Sequence, residues 1–198
     1  MTRNLKNFSS HICDKMISLR KINSILVIIM IIILLNHAVL SVLYMYGLIS
    51  YSPSFQVTGR RLFYPLVAHM IISLYLYIRD KRRNVKTYPK LISQTTQQIV
   101  TGILIVVFVA LHIFSYMMSP INVSLTFEIK LMHFLIDIGL FSSIILHLRV
   151  SVPRLMVSLG FLESKDSYSN FQNRWNVCVA VILILLVLAE IIHYWVIV

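Results

Sequence analysis

Five histidines lie within the first four long apolar stretches of this chain, where an ionisable side chain is costly and marks a functional site. They are His37, His69, His112, His133 and His147. A neutral imidazole nitrogen binds haem iron well, and two imidazoles on one iron leave no open coordination position, which suits electron transfer. The histidines therefore predict a membrane cytochrome b that holds haem b through axial imidazole ligands.

The apolar stretches that carry these histidines are long enough to cross a bilayer, which takes roughly 20 residues for about 30 Å of hydrocarbon. The chain is 58% hydrophobic, and its mean hydropathy is +0.82. We expect spans at about 22–49, 62–78, 98–118, 127–148 and 175–198. These features predict an all-α, polytopic membrane protein. A single domain over residues 1–198 would form a bundle of five transmembrane helices that encloses two haems.

The net charge of +11 is distributed over alternate loops between the spans. All but three of the 18 Lys and Arg residues precede the first span or lie in the second and fourth loops; the exceptions are Arg60, Arg61 and Lys130. Basic residues accumulate on the cytoplasmic side of membrane proteins, so the pattern predicts a cytoplasmic basic tail at 1–21 and an external C-terminus. It argues against a nucleic-acid groove. A cytochrome b would work in an energy-transducing membrane, so we expect the chain in a prokaryotic cytoplasmic membrane or the mitochondrial inner membrane.

Two connections have distinctive compositions. The loop Ser50–Gly59 contains Pro53 and is predicted to be an external turn. After Pro153, the mostly apolar stretch Leu155–Leu162 is expected either to follow the inner membrane interface or to dock to a partner.

The two ligands of one haem must come from different helices at the same depth. His37 is expected at the middle of the membrane or slightly towards its outer side, and His112 in the outer half. This predicts that the two histidines share an outer haem. His69 and His147 are expected towards the inner ends of their spans, which predicts that they share an inner haem.

A second pairing is open because His133 and His147 are 14 residues apart on one span. That spacing rises about 21 Å over nearly four helical turns, so both imidazoles would lie on one helix face, one in each leaflet. Respiratory cytochromes b of the bc type use such spacing to hold two haems. In the first pairing, His133 is instead a quinone-site or proton-handling residue.

Two acidic residues also lie within spans. Asp137 is one helical turn after His133, and Glu190 is three residues before His193. A charged acid in hydrocarbon costs on the order of 3 kcal/mol, so both should face the bundle or be neutral. They are candidates for proton transfer near a quinone, or for a structural hydrogen bond. The run His193, Tyr194 and Trp195 is predicted to anchor the chain at the interface.

Four segments resemble the membrane-anchor cytochrome b subunit of succinate:quinone oxidoreductases, the succinate dehydrogenases and fumarate reductases. In the second half these are TGILIVVFVALHIFSYMMSP and ILHLRVSVPRLMVSLGF, and in the first half NHAVLSVLYMYGLIS and VAHMIISLYLYIRDKRR. The closest likeness is to the five-helix, dihaem, single-subunit type. A Thr-Gly opening a span that ends in Leu-His is typical of that family, as is a histidine-led segment that closes on Leu-Gly.

The resemblance implies that His37 and His112 bind the outer haem, and that His69 and His147 bind the inner one. It implies a flavoprotein subunit and an iron–sulfur subunit on the cytoplasmic side, and menaquinone or ubiquinone in the membrane. Dicarboxylate chemistry would belong to those subunits, so this chain would be a non-catalytic electron-transfer subunit. The chain departs from the family in lacking an acidic residue in Ser50–Gly59, and in having Ile145 where the family has a glutamate.

Two other functions remain open from the sequence. A cytochrome b subunit of a hydrogenase or formate dehydrogenase would use the His133 and His147 pair as ligands. A haem-free transporter or assembly protein with five helices would use the intramembrane polar residues to line a cavity.

Overall fold

The fold is all-helical in a computed structural model that describes residues 2–82, 89–118 and 125–197, with side chains described at 19–82, 93–118 and 125–197. The tail side chains before 19, the centre of the basic loop at 83–88 and the loop at 119–124 lie outside the described residues. The helices are α1 (Thr2–Met45), α2 (Ser54–Arg61), α3 (Phe63–Arg82), α4 (Pro89–Met118), α5 (Phe127–Ser158) and α6 (Lys165–Ile192). A π-helical turn, His193–Ile197, follows α6 directly.

Five helical segments are long and apolar enough to cross a membrane, as predicted. They are Leu19–Met45, Ser54–Arg82, Ser93–Met118, Phe127–Ser158 and Lys165–Ile197. Large apolar side chains along them are exposed, such as Ile32 at 62% and Phe114 at 63%. In a bilayer such side chains meet lipid tails instead of water, so their exposure has no hydrophobic cost. The prediction of an all-α fold with five helices long and apolar enough to span a membrane is confirmed, which is consistent with a multi-pass membrane protein.

The first of two compact units comprises residues 1–41 and 51–86. In it, α2 begins directly after Pro53, and Thr58 donates its hydroxyl hydrogen to the backbone oxygen of Ser54 at 2.9 Å. The turn predicted over Ser50–Gly59 is therefore wrong from Ser54 onward. Proline favours the start of a helix because its missing N–H is not needed there.

The second unit comprises residues 42–50 and 87–198, and in it α5 packs between α4 and α6. The two helices α4 and α5 come close together at Gly139 of α5, where a Cβ atom would overlap the ring of Phe108 on α4. On the other side, the Trp175 indole N–H of α6 donates to the Leu148 carbonyl at 3.0 Å. These contacts fix the rotation of α5, which carries two of the candidate histidines.

The helix α5 continues beyond its predicted end and runs through Pro153 to Ser158. Proline removes one backbone hydrogen bond, but Val152, Pro153 and Leu155 are buried, so their packing maintains the helix. Gly160, at φ 81°, then ends it in a left-handed conformation that glycine adopts without steric cost. The predicted interfacial loop after Pro153 is therefore wrong for its first part, which is helical.

Candidate functional site

The candidate histidines divide between the two units. His37 and His69 belong to the first unit, and His112, His133 and His147 belong to the second. Each predicted haem pair takes one histidine from each unit, so the pairings stay predictions. The surroundings of each imidazole within its own unit can be compared directly.

His69 on α3 is oriented by a polar contact with α1. Its Nδ1 lies 2.9 Å from Oδ1 of Asn23, which also accepts a hydrogen bond from the Ser73 hydroxyl at 3.3 Å. An amide oxygen accepts only, so Nδ1 of His69 must carry the hydrogen. The lone pair of this imidazole is therefore on Nε2.

His147 on α5 has the same arrangement with α4. Its Nδ1 lies 3.0 Å from the hydroxyl oxygen of buried Thr101, and that hydroxyl donates its own hydrogen to the Gln97 carbonyl at 2.7 Å. Because the threonine hydrogen is already used, its oxygen accepts from Nδ1 of His147. Gly102 lies beside the ring, where a Cβ would be 3.8 Å from Cε1.

His112 on α4 forms the shortest of these contacts. Its Nδ1 lies 2.6 Å from Oδ1 of Asp137 on α5, and the other carboxylate oxygen accepts from the Tyr116 hydroxyl at 2.7 Å. A carboxylate that accepts from a ring N–H fixes the tautomer and makes the opposite nitrogen a better ligand. Asp137 therefore orients His112 on the neighbouring helix. The sequence had shown only that Asp137 shares a helix face with His133.

His37 on α1 is positioned by a different feature, the close approach of α2. A Cβ at Gly59 would lie 3.2 Å from Cε1 of His37 and 3.5 Å from Nε2. A side chain at position 59 would crowd the imidazole, so glycine there lets the α2 backbone lie against the ring without displacing it.

His133 is the most enclosed of the five histidines, at 0% exposed. Its ring lies 4.4 Å from the ring of Tyr116 and 6.1 Å from that of Tyr194, measured between centroids. The side chain of His112, in contrast, is 31% exposed. A ligand histidine must present one nitrogen to the cofactor, so these surroundings favour His112 over His133 as a ligand.

The enclosed histidine belongs to a buried group of ionisable side chains, the polar cluster, where α5 begins and α6 ends. Its members are Tyr116, His133, Asp137, Glu190, His193 and Tyr194. Tyr194 and Glu190 are each 1% exposed, and the Tyr116 and Tyr194 hydroxyl oxygens are 2.7 Å apart. The predicted proton or quinone candidates Asp137 and Glu190 thus lie in one group.

The interfacial role predicted for His193 and Tyr194 is wrong, because both side chains are buried at 3% and 1% exposed. Only Trp195 of that run is exposed, at 43%. The change from α to π geometry at His193 alters the helical rotation per residue and turns these two side chains towards the helices. The sequence shows no proline or glycine that would signal this change.

The imidazole donors can be compared with what a haem iron requires from a protein. Within the described ranges, no group of three or more His, Cys, Asp or Glu side chains could hold a metal ion. A haem iron needs only two imidazoles from the protein, because the porphyrin supplies its other four ligands. The Nδ1 contacts at His69, His112 and His147 match the hydrogen bonding expected of metal-bound imidazoles.

Comparison with protein-family models, curated proteins and solved structures finds no match for this chain.

Proposed function

We propose that this chain is a membrane cytochrome b whose histidines bind two haems b and pass electrons between a membrane quinone and a partner subunit. The observation that carries the proposal is shared by His69, His112 and His147. In each, Nδ1 contacts an oxygen acceptor on another helix, so Nε2 is the nitrogen that can bind iron. Haem, when bound, would supply a one-electron carrier within the hydrocarbon.

The protein's own residues would determine the properties of that carrier. The imidazoles of His69 and His147 would each donate to a neutral oxygen, on Asn23 and Thr101. The imidazole of His112 would instead donate to the carboxylate of Asp137. A carboxylate makes the imidazole more electron-rich than a neutral acceptor does, which favours the oxidised iron. We therefore propose that the haem bound by His112 has the lower reduction potential.

The partner assignment rests on the family resemblance and on charge. We propose that the chain anchors the flavoprotein and iron–sulfur subunits of a succinate dehydrogenase or fumarate reductase, with dicarboxylate chemistry confined to those subunits. The basic residues of the predicted second and fourth loops would provide the docking side. The quinone would be menaquinone or ubiquinone.

A second candidate function is supported by the burial of two acids. Asp137 and Glu190, each 1% exposed, lie among tyrosine and histidine side chains. Buried acids in membrane helices mark proton or ion pathways, so a haem-free proton-coupled transporter would use the same cluster.

A reduced-minus-oxidised absorption spectrum, with pyridine haemochrome quantitation on the purified full-length chain, separates these functions. We expect two b-type haems per chain in protein that is produced with haem available. Complete absence of haem under those conditions would contradict the cytochrome proposal and leave the transporter.

A further inference from the structure

Arg154, near the end of α5, faces α4 and donates hydrogen bonds only to neutral oxygens. Its Nη1 donates to the Thr95 hydroxyl oxygen at 3.1 Å and to the side-chain oxygen of Gln98. The amide nitrogen of Gln98 donates in turn to the Ser151 hydroxyl at 2.9 Å, which keeps the amide oxygen towards the guanidinium. Among the residues that the structure describes, no acidic side chain forms an ion pair with Arg154.

The guanidinium of Arg154 retains donors for an anionic ligand. An arginine side chain has five N–H hydrogens, and the two on Nη1 are used by Thr95 and Gln98. Those on Nε and Nη2 have no acceptor in the described part of the chain, and the side chain is only half-buried. Nε and Nη2 form a pair of parallel donors of the kind with which arginine binds two oxygens of one phosphate or carboxylate. Because Nη1 is held against α4, this pair is fixed in orientation.

The depth of Arg154 corresponds to the headgroup region of a bilayer. The 32 residues of α5 extend over about 48 Å, which exceeds the roughly 30 Å of hydrocarbon and reaches the headgroups on both sides. Arg154 is four residues, or about 6 Å, before the end of the helix at Ser158. This end is the one that the distribution of basic residues predicts to be cytoplasmic, and the cytoplasmic leaflet carries the anionic lipids.

Apolar side chains near this polar group are exposed. On α4, Val100, Ile103 and Val107 follow one another at helical spacing, and all three are exposed. On α5, Val157 is exposed one turn after Arg154. These side chains can contact acyl chains, whereas a soluble phosphate has no use for them. The two helices therefore offer a counterpart to both chemical parts of a phospholipid.

We propose that Arg154 binds the phosphate of an anionic phospholipid in the predicted cytoplasmic leaflet, with Nε and Nη2 as donors to two phosphate oxygens. Basic sites between transmembrane helices on this side of a membrane suit such headgroups. Gln98 and Thr95 are positioning residues, because they hold Nη1 and thereby direct the donor pair. The site lies on α4 and α5 and requires no haem, so it goes beyond the proposed electron-transfer function and does not depend on it.

The test is native mass spectrometry of the purified full-length chain in detergent, titrated with phosphatidylglycerol and, separately, with phosphatidylcholine. The haem content of the same samples is recorded by absorption. We expect phosphatidylglycerol to bind severalfold more tightly than phosphatidylcholine, because only phosphatidylglycerol has a net negative charge.

Two variants and one control locate the binding. Arg154→Gln removes the charge and the donor pair, so we expect about tenfold weaker binding of phosphatidylglycerol, the usual effect of losing a charge-assisted hydrogen bond. Gln98→Glu keeps the acceptor for Nη1 but places a carboxylate beside the guanidinium, so it should weaken binding similarly and tests the site even if Arg154→Gln does not fold. Arg149→Gln is the matched control, because Arg149 is exposed on the same helix and donates to Asn176 on α6. It should change the affinity by less than about twofold, since exposed charges are screened.

Phosphatidylglycerol binding that is unchanged in Arg154→Gln or in Gln98→Glu would overturn the site, as would equal affinity for the two lipids. Loss of haem in Arg154→Gln, with unchanged lipid binding, would also overturn it and would assign the guanidinium to a haem carboxylate. Equal weakening in Arg149→Gln would mean that net charge, and not the Arg154 site, attracts the lipid. Lipid binding that depends on Arg154 in protein without haem would support the site while the cytochrome function fails.

Discussion

Nδ1 of His112 on α4 lies 2.6 Å from Oδ1 of Asp137 on α5. The Asp137 side chain is buried, with 2% of its surface exposed. Tyr116, one turn after His112, donates to the other oxygen of the same carboxylate. The carboxylate is thus held by two donors from one helix, and it holds the imidazole in one tautomer and one orientation. The most informative variants change this pair.

Asp137→Asn keeps the shape of the side chain and removes its negative charge. If His112 binds haem as proposed, we expect the affinity for that haem to fall roughly 10- to 100-fold, which is the usual effect of losing the hydrogen-bond partner of a metal-bound histidine. The reduction potential of the retained haem should rise, because a less electron-rich imidazole stabilises oxidised iron less. Haem retention through dialysis and a spectroelectrochemical titration measure the two effects.

Glu128→Gln is the matched control for the charge change, since Glu128 is an exposed acid at the start of the same helix. Haem content and both reduction potentials should equal those of the unmodified chain. An equal rise in potential in both variants would mean that net charge, and not contact with His112, sets the potential.

The identity of the ligands can be tested by comparing two histidines of the second unit. We expect His112→Ala to lose one of two haems and His133→Ala to keep both, because the His133 side chain is enclosed by tyrosine rings. Pyridine haemochrome quantitation per chain gives the count. Loss of a haem in His133→Ala, with no loss in His37→Ala, would instead support the pairing of His133 with His147.

The hydrophobic pattern predicted the five spans because helix length and apolar composition depend only on local sequence. It also placed the histidines within those spans. It did not reveal Asn23 or Thr101 as partners of His69 and His147, because such contacts depend on how one helix is rotated against another.

The hydrogen-bonding partners of Asp137 were also not predictable from the sequence. Its spacing of four residues from His133 predicts a shared helix face, which is a local property. Its hydrogen bonds go to α4 instead, because the close approach of α5 to α4 at Gly139 brings that face against His112 and Tyr116. Sequence spacing gives the face of a helix, and packing determines its neighbour.

The hydrogen bond between Thr101 and His147 gives a third prediction. Thr101→Val removes the acceptor for Nδ1 and keeps the side-chain shape, so we expect about tenfold weaker binding of the haem that His147 is proposed to hold. Thr101→Ser retains the hydroxyl and should bind haem normally. Equal haem loss in the two variants would show that the methyl group matters, and not the hydrogen bond; titration of haem into the apoprotein measures both.

The packing of α4 against α5 can be tested with two glycines that differ in the space beside them. A Cβ at Gly139 would overlap the Phe108 ring, whereas a Cβ at Gly102 would lie 3.8 Å from the His147 ring, an ordinary van der Waals distance. We expect Gly139→Ala to lower the free energy of unfolding by about 1–3 kcal/mol, as is typical when a packed site is overfilled. Gly102→Ala should leave it within about 0.5 kcal/mol of the unmodified chain. Denaturant titration in detergent, followed by tryptophan fluorescence, gives both values, and equal stability of the two variants would mean that α4 and α5 are not in close contact at Gly139.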